Sequence, residues 1–185
     1  MKKLIIATLT LILAACSSDD VVQSKYSGYT ARFSYSPVAA CPSLQRACTG
    51  LGEFCIIDRP IDPQQRIRVR DNHGSDPDYI VPTALQSYSG VVLGLGALII
   101  GMPSLAEMGS DQSVVTCYDG ICPNCYIEYH ISKQVVMDEG FATCYSCNRV
   151  YDLNSQGMVT SGDGGHSLYR YAVGYNGTGV YVSNN

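Results

Sequence analysis

The sequence predicts an all-β fold, and three observations carry that prediction. Tyr (14) and Gly (18) are abundant among 185 residues while Trp is absent, a composition that favours strands and turns over helices. The apolar runs are short, and several alternate with polar residues at the period of two that a half-buried strand requires. Asn176-Gly177 lies between two such runs and is the strongest short-range hairpin signal in the chain.

Taken in order, Tyr29-Thr30-Ala31-Arg32-Phe33-Ser34-Tyr35 alternates large with small polar residues and reads as a first strand. Thr49-Gly50-Leu51-Gly52 marks a turn before the strand Phe54-Cys55-Ile56-Ile57, and Pro60 and Pro63 then break the chain. Gln65-Arg66-Ile67-Arg68-Val69-Arg70 alternates charge with aliphatic residues, as a strand with one exposed face does, and a loop follows from Asp71 to Pro77. Residues 91–102 form the most apolar stretch after the N-terminus, interrupted by Gly94, Gly96 and Gly101. A bilayer-spanning helix needs about 20 apolar residues, and glycine weakens any helix, so two short buried strands around a Gly turn are expected instead. Further strands are expected at Ser113-Val114-Val115-Thr116-Cys117-Tyr118, at 157–160, at 168–173 and at 180–182. No helix of useful length is predicted.

The N-terminus has a different character. Met1-Lys2-Lys3 precedes an apolar run that ends in Leu13-Ala14-Ala15-Cys16. A basic n-region, an apolar h-region and small residues before a cut site describe a secretory signal. Its last four residues resemble the lipobox of bacterial lipoproteins, which implies cleavage before Cys16 and acylation of its thiol. The expected organisation is a signal peptide at 1–15, a lipidated Cys16 with a flexible tether over 16–28, and one β domain over 29–185. Ser17-Ser18 after the cysteine resembles outer-membrane lipoproteins, and Asp19-Asp20 resembles the surface-export signal of Bacteroidetes lipoproteins. The membrane, through the lipid on Cys16, is thus an expected partner. The outer membrane is the expected location, with the cell surface as its further extension.

Without Lys2 and Lys3 the chain holds 10 basic against 16 acidic residues, a net charge of −6, and no Lys or Arg run. Nucleic acid is not an expected partner. Besides Cys16 there are eight cysteines: Cys41, Cys48, Cys55, Cys117, Cys122, Cys125, Cys144 and Cys147. In an exported chain, thiols become disulfides unless a metal holds them.

Cys122-Pro123-Asn124-Cys125 and Cys144-Tyr145-Ser146-Cys147 are two C-x₂-C pairs. Two such turns can present four thiolates tetrahedrally to one Zn²⁺, though the same four cysteines can also form disulfides. A redox-active pair of the thioredoxin kind needs its first cysteine at a helix N-terminus. Tyr126-Ile127-Glu128-Tyr129-His130-Ile131-Ser132 alternates as a strand, which argues against it.

From about Ser87 to Ser183 the order of features resembles a Rieske-type iron–sulfur domain. Val115 to Cys125 resembles the strand and first ligand loop. Cys144-Tyr145-Ser146-Cys147 with Tyr151-Asp152-Leu153 resembles the second loop and the strand after it, and 157–171 resembles the closing Gly-rich lobe. The nearest likeness is to Rieske-like lipoproteins of the Bacteroidetes type, many of which lack the iron ligands. The resemblance implies an antiparallel β-sandwich carrying a rubredoxin- or zinc-ribbon-like two-knuckle lobe at about 115–155. A Rieske cluster takes two Cys on one iron and two His on the other. Here Cys125 and Cys147 stand at the His positions, while His130 and His166 lie outside them. Iron–sulfur proteins usually leave the cell folded, by a twin-Arg route, and this signal has no Arg pair. The expectation is a Rieske-like domain holding structural zinc on Cys122, Cys125, Cys144 and Cys147, with a binding or assembly role toward an unidentified envelope partner. The alternatives are an electron carrier with iron or a [2Fe–2S] centre at these residues, and a disulfide-stapled module without metal.

Cys41, Cys48, Cys55 and Cys117 show no metal spacing and are candidates for disulfides, with three connectivities open. No nucleophile–base or carboxylate pair stands out, so a non-catalytic protein is expected. Asp58, Asp62, Asp76 and Asp78 read as turn-forming or solvated loop residues, and Gly162-Asp163-Gly164-Gly165 reads as a turn.

Overall fold

The computed structural model describes residues 26–81, 90–107 and 109–184. The signal peptide, Cys16 and most of the tether expected from the sequence lie outside the described residues. The described strands form three antiparallel sheets, which agrees with the mainly β reading.

The central sheet has six strands. β2 (Glu53–Asp58), β3 (Ile67–Asp71), β4 (Asp78–Ile80), β6 (Ala97–Met102), β7 (Thr116–Asp119) and β12 (Arg170–Tyr171) lie in the order β12-β7-β6-β2-β3-β4. Its middle strands carry continuous apolar runs because both faces are covered. The register sets Cys55 opposite Ile100 and Ile100 opposite Cys117 on one face, and Ile56, Ile99 and Tyr118 in line on the other. β3 alternates because Ile67, Val69 and Asp71 are buried on one face, while Arg68 and Arg70 reach the opposite face.

Against the first face packs a four-stranded sheet in the order β13-β14-β1-β5. It contains β1 (Ala31–Tyr35), β5 (Val92–Leu93), β13 (Val173–Tyr175) and β14 (Val180–Asn184). The Asn176-Gly177 turn does join a hairpin, β13–β14, and Gly177 has the positive φ (85°) such turns need. Residues 91–102 do form two short strands around a glycine turn, yet these do not pair with each other. β5 joins β1 in one sheet, and β6 joins β2 and β7 in the other.

A helix absent from the sequence reading, α1 (Pro42–Thr49), sits in this same core. Its start and stop follow ordinary rules: Pro42 at the first position, where its missing N–H costs nothing, and Gly50 just past the end. Leu44, Ala47 and Cys48 are buried at helical spacing, and Arg46 pairs with Asp71 of β3.

The second face of the central sheet carries a smaller lobe. β8 (Val136–Asp138), β9 (Phe141–Cys144), β10 (Arg149–Asp152) and β11 (Met158–Ser161) form its sheet in the order β11-β10-β9-β8. Phe54, Ile56, Ile99 and Tyr118 of the central sheet share an apolar core with Ala142, Tyr151 and Leu153 of the lobe. Asn72 fastens the two: its amide donates to the carbonyls of Gly52 (3.2 Å) and Glu139 (2.8 Å) and accepts from Phe54 N–H (3.2 Å). Asp58 adds a second tie. It is buried, at 4 % exposure, and accepts from Arg68 (2.9 Å), Arg70 (2.6 Å) and Gln134 of the lobe (2.9 Å). Its description as a solvated loop residue is therefore corrected: it ends a strand whose arginine neighbours pay for its burial. Asp78 likewise opens β4 and accepts from Ser43 N–H (2.8 Å) at the start of α1.

The four-cysteine cluster as a candidate metal centre

The lobe contains the second helix the sequence reading missed, α2 (Pro123–Tyr129). Pro123 occupies its first position, and the Cys122 sulfur caps it by accepting from Cys125 N–H (3.5 Å). His130 ends it in the left-handed region (φ 55°). Only Pro123, Asn124 and Cys125 are buried, so the strand-like alternation of Tyr126 to Ser132 reflects the outer side of a short helix and its exit. The strand assignment there is corrected. Cys122 sits at a helix N-terminus, the position a helix-capped redox pair requires. What bears on that reading is the placement of the other two cysteines.

Cys144 ends β9 and Cys147 lies in the tight turn to β10, so the β9–β10 hairpin aims both sulfurs at α2. Cys122 Sγ is 3.6 Å from Cys147 Sγ, Cys125 Sγ is 3.7 Å from Cys144 Sγ, and all four sulfurs lie within 4.8 Å of one another. A tetrahedron of sulfurs at about 2.3 Å from a central zinc has edges of about 3.8 Å. A disulfide needs its sulfurs about 2.05 Å apart. The four sulfurs thus have the separations of ligands around one ion, each drawn to partners from the opposite loop. Four cysteines placed in this way can hold a metal ion. The two sulfurs of the helix cap face two more thiols instead of an open cleft.

The surroundings suit thiolates. Asn124, between the first two cysteines, donates to Tyr151 Oη (2.9 Å), which leaves the phenol proton free to point at Cys122 Sγ, 3.0 Å away. Asn124 also clamps the 157–169 segment by donating to the His166 carbonyl (2.9 Å) and accepting from His166 N–H (2.8 Å). Arg149 donates to the carbonyls of Asp163 (2.8 Å) and Gly164 (3.1 Å) and to Glu128 of α2 (2.9 Å). Burial opposes ionisation of Cys147, but hydrogen bonds from the Arg149 backbone and guanidinium, with the neighbouring thiols, bring its pKa down to about 7. Burial pushes the Cys125 thiol up, reinforced by Cys144, Cys147 and Cys122, and burial pushes Cys144 up as well. Cys125 and Cys144 thus resist ionising beside the other sulfurs, and a divalent cation among them would relieve that repulsion.

His130 and His166 are exposed and outside the four-sulfur group, and His73 pairs with Glu53 (2.8 Å). The donor set is all sulfur. Comparison with protein-family models and with curated proteins gives no match.

The other four cysteines lie in the opposite core as buried free thiols. Burial pushes the Cys41 and Cys48 thiols up to about 12, and Cys55 and Cys117 also rise on burial. Cys55 and Cys117 flank Ile100 across two strand spacings, about 10 Å. Cys41 and Cys48 are two helical turns apart, about 10.5 Å. Both separations exceed the roughly 7 Å that a disulfide spans. Of the three connectivities, pairing Cys41 with Cys48 and Cys55 with Cys117 is thereby excluded.

Sequence reasoning missed Asn124, Tyr151 and Arg149 as supports of the cysteines. Only Asn124 carried a signal, by its position inside a C-x₂-C turn.

Proposed function

We propose that this chain is a lipid-anchored envelope protein whose knuckle lobe is fixed by one structural zinc on Cys122, Cys125, Cys144 and Cys147. Its role is binding or assembly in the envelope. The observation that carries the proposal is the convergence of four sulfurs within 4.8 Å of one another, from two separate loops. Zinc supplies no redox chemistry, and four protein sulfurs leave it no open position, so its work is to hold α2 against the β9–β10 hairpin. A β-sandwich with a two-loop lobe is the arrangement that the resemblance to Rieske-like lipoproteins implies. The all-sulfur donor set supports a member of that kind in which the cluster has given way to a single ion. Acylation at Cys16 would tether the domain to the outer membrane.

The test is metal content and free-thiol count of the intact chain, purified without chelator, together with the mass of its N-terminal peptide. One zinc per chain, lost in Cys144→Ser, with an acylated Cys16, is the expected result. One or two irons with visible absorbance would make the protein an electron carrier. Absence of both metal and free thiols would make it a disulfide-stapled module.

A further inference from the structure

A cavity of about 480 Å³ opens beside β12, at the edge of the central sheet, and shares no residue with the cysteine cluster. Its volume falls within the range of small-molecule sites. Met102, Val114 and Val115 give it apolar walls, Tyr26 and Tyr175 add two rings, and Arg170 supplies the charged group. The Tyr175 hydroxyl donates to the Gly177 carbonyl (3.1 Å), so that phenol's own donor is already engaged. Ser27 N–H donates to the Arg170 carbonyl (2.7 Å), so the backbone edge of β12 is partly taken as well. Side chains, then, and not the sheet edge, are what this cavity offers a ligand.

Arg170 is the informative residue. Its side chain is only 10 % exposed, it pairs with Glu107, and its Nε–H has no hydrogen-bond partner among the described residues. A buried guanidinium N–H without an acceptor is costly, and native structures rarely leave one so. Glu107 already balances the charge, so the unmet need is for an oxygen and not for an anion. A second carboxylate would sit beside Glu107 and be repelled.

We infer that this cavity is a binding site for a small, neutral, mainly apolar molecule whose carbonyl oxygen accepts from Arg170. The apolar walls take the body of the ligand, and the Arg170–Glu107 pair selects a carbonyl over both a hydrocarbon and a carboxylate. Selection of this kind is steep because a ligand without the oxygen leaves the buried donor unmet.

Three probes of similar shape test it: acetophenone, ethylbenzene and benzoate, titrated into the intact chain with ¹⁵N-labelled arginine and followed by NMR at Arg170 Nε. Acetophenone is expected to give a saturable shift, with ethylbenzene and benzoate each at least about tenfold weaker, the loss of one charge-assisted hydrogen bond. Arg170→Met should weaken acetophenone by a similar factor. Val114→Trp fills the cavity from a position that is 54 % exposed, so it should abolish binding while the fold and metal content persist. No saturable shift with acetophenone, equal binding of ethylbenzene, tighter binding of benzoate, or undiminished binding to Val114→Trp would each overturn the assignment.

Discussion

The two faces of the central sheet carry four cysteines each, all buried but the half-buried Cys147, and the two sets behave as opposites. On the α1 side, Cys41, Cys48, Cys55 and Cys117 are spread over a helix and two strands within one apolar core, where the Cys41 thiol also donates to Asp78 Oδ2 (3.7 Å). On the lobe side, Cys122, Cys125, Cys144 and Cys147 converge from two loops until every sulfur is within 4.8 Å of the others. Burial raises the pKa values in the first set, to about 12 for Cys41 and Cys48. In the second set one thiol, Cys147, is brought down to about 7 by Arg149 although burial opposes it. Cysteine thus packs as a small core residue on one face and is placed to hold an ion on the other. Spacing decides which: two intervening residues let one turn aim both sulfurs the same way, whereas seven-residue spacing sets Cys41 and Cys48 at the two ends of α1 and Cys55 on β2.

The largest expected effect comes from breaking the convergent set. Cys144→Ser should abolish metal binding and unfold the lobe, because structural zinc sites contribute apparent binding energies of about 10–16 kcal/mol in small domains. Hydrogen exchange should show β8 to β11 losing protection while β1, β2 and β6 keep theirs. Uniform loss of protection would show that the two cores fold as one unit.

The boundary between the faces can be probed through Asp119, where β7 passes from one core toward the other. Its carboxylate accepts from Leu95 N–H (2.8 Å), Ile121 N–H (2.8 Å) and the Tyr171 hydroxyl (2.6 Å). Burial outweighs these bonds and raises its pKa from 3.8 to about 6. Between about pH 4 and pH 6 the folded chain therefore keeps a proton that the unfolded chain has released. This contribution to stability is complete below pH 4, declines as pH rises, and is gone above about pH 6. Two pKa units correspond to about 3 kcal/mol. Denaturant unfolding of wild type and Asp119→Asn across this range should show wild type losing on the order of that amount relative to the variant. Thiol protonation acts on both proteins alike and cancels in the difference. A flat difference would mean that the three hydrogen bonds already hold the carboxylate ionised.

The contrast between the cysteine sets was partly legible in the sequence. The paired C-x₂-C spacing pointed to Cys122, Cys125, Cys144 and Cys147 because turn geometry is local, and the structure does bring these four together. Strands were legible wherever burial is one-sided, as in β1 and β3, or where Asn-Gly enforces a hairpin. The two α-helices of the described residues were lost, since eight and seven residues leave little periodicity to read. Their surviving signals were Pro42 and Pro123, each directly after the cysteine that precedes its helix. Asp58 and Asn72 looked like loop residues because their partners, Gln134 and Glu139, are more than 60 residues away in the chain. Long-range polar ties of this kind have no local pattern.

A smaller effect sharpens the ligand side of the comparison. Tyr151→Phe removes the hydroxyl 3.0 Å from Cys122 Sγ and leaves the buried ring in place. Groups that hydrogen-bond a metal ligand typically govern affinity by about 10–100-fold. Competition with a chromogenic chelator should show zinc held that much more weakly, with the fold retained. Unchanged affinity would reduce Tyr151 to a packing residue.

The smallest effect is expected on the other face. Cys55→Ala removes one buried sulfur from a site enclosed by Ile100, Cys48 and Cys117, with no metal and no partnered thiol at stake. The loss should resemble that of a small core truncation, about 1 kcal/mol, with zinc content unchanged. If Cys55 is joined to Cys41 or Cys48, the two pairings that geometry leaves open to it, the loss should rise to about 2–5 kcal/mol and a new free thiol should appear. Counting thiols in wild type and Cys55→Ala therefore separates the two cases. One thiol fewer in denaturant, with a small stability loss, keeps this core a set of apolar thiols. A gained thiol with a large loss makes it a stapled core, and the division of labour between the two faces becomes staple against ligand.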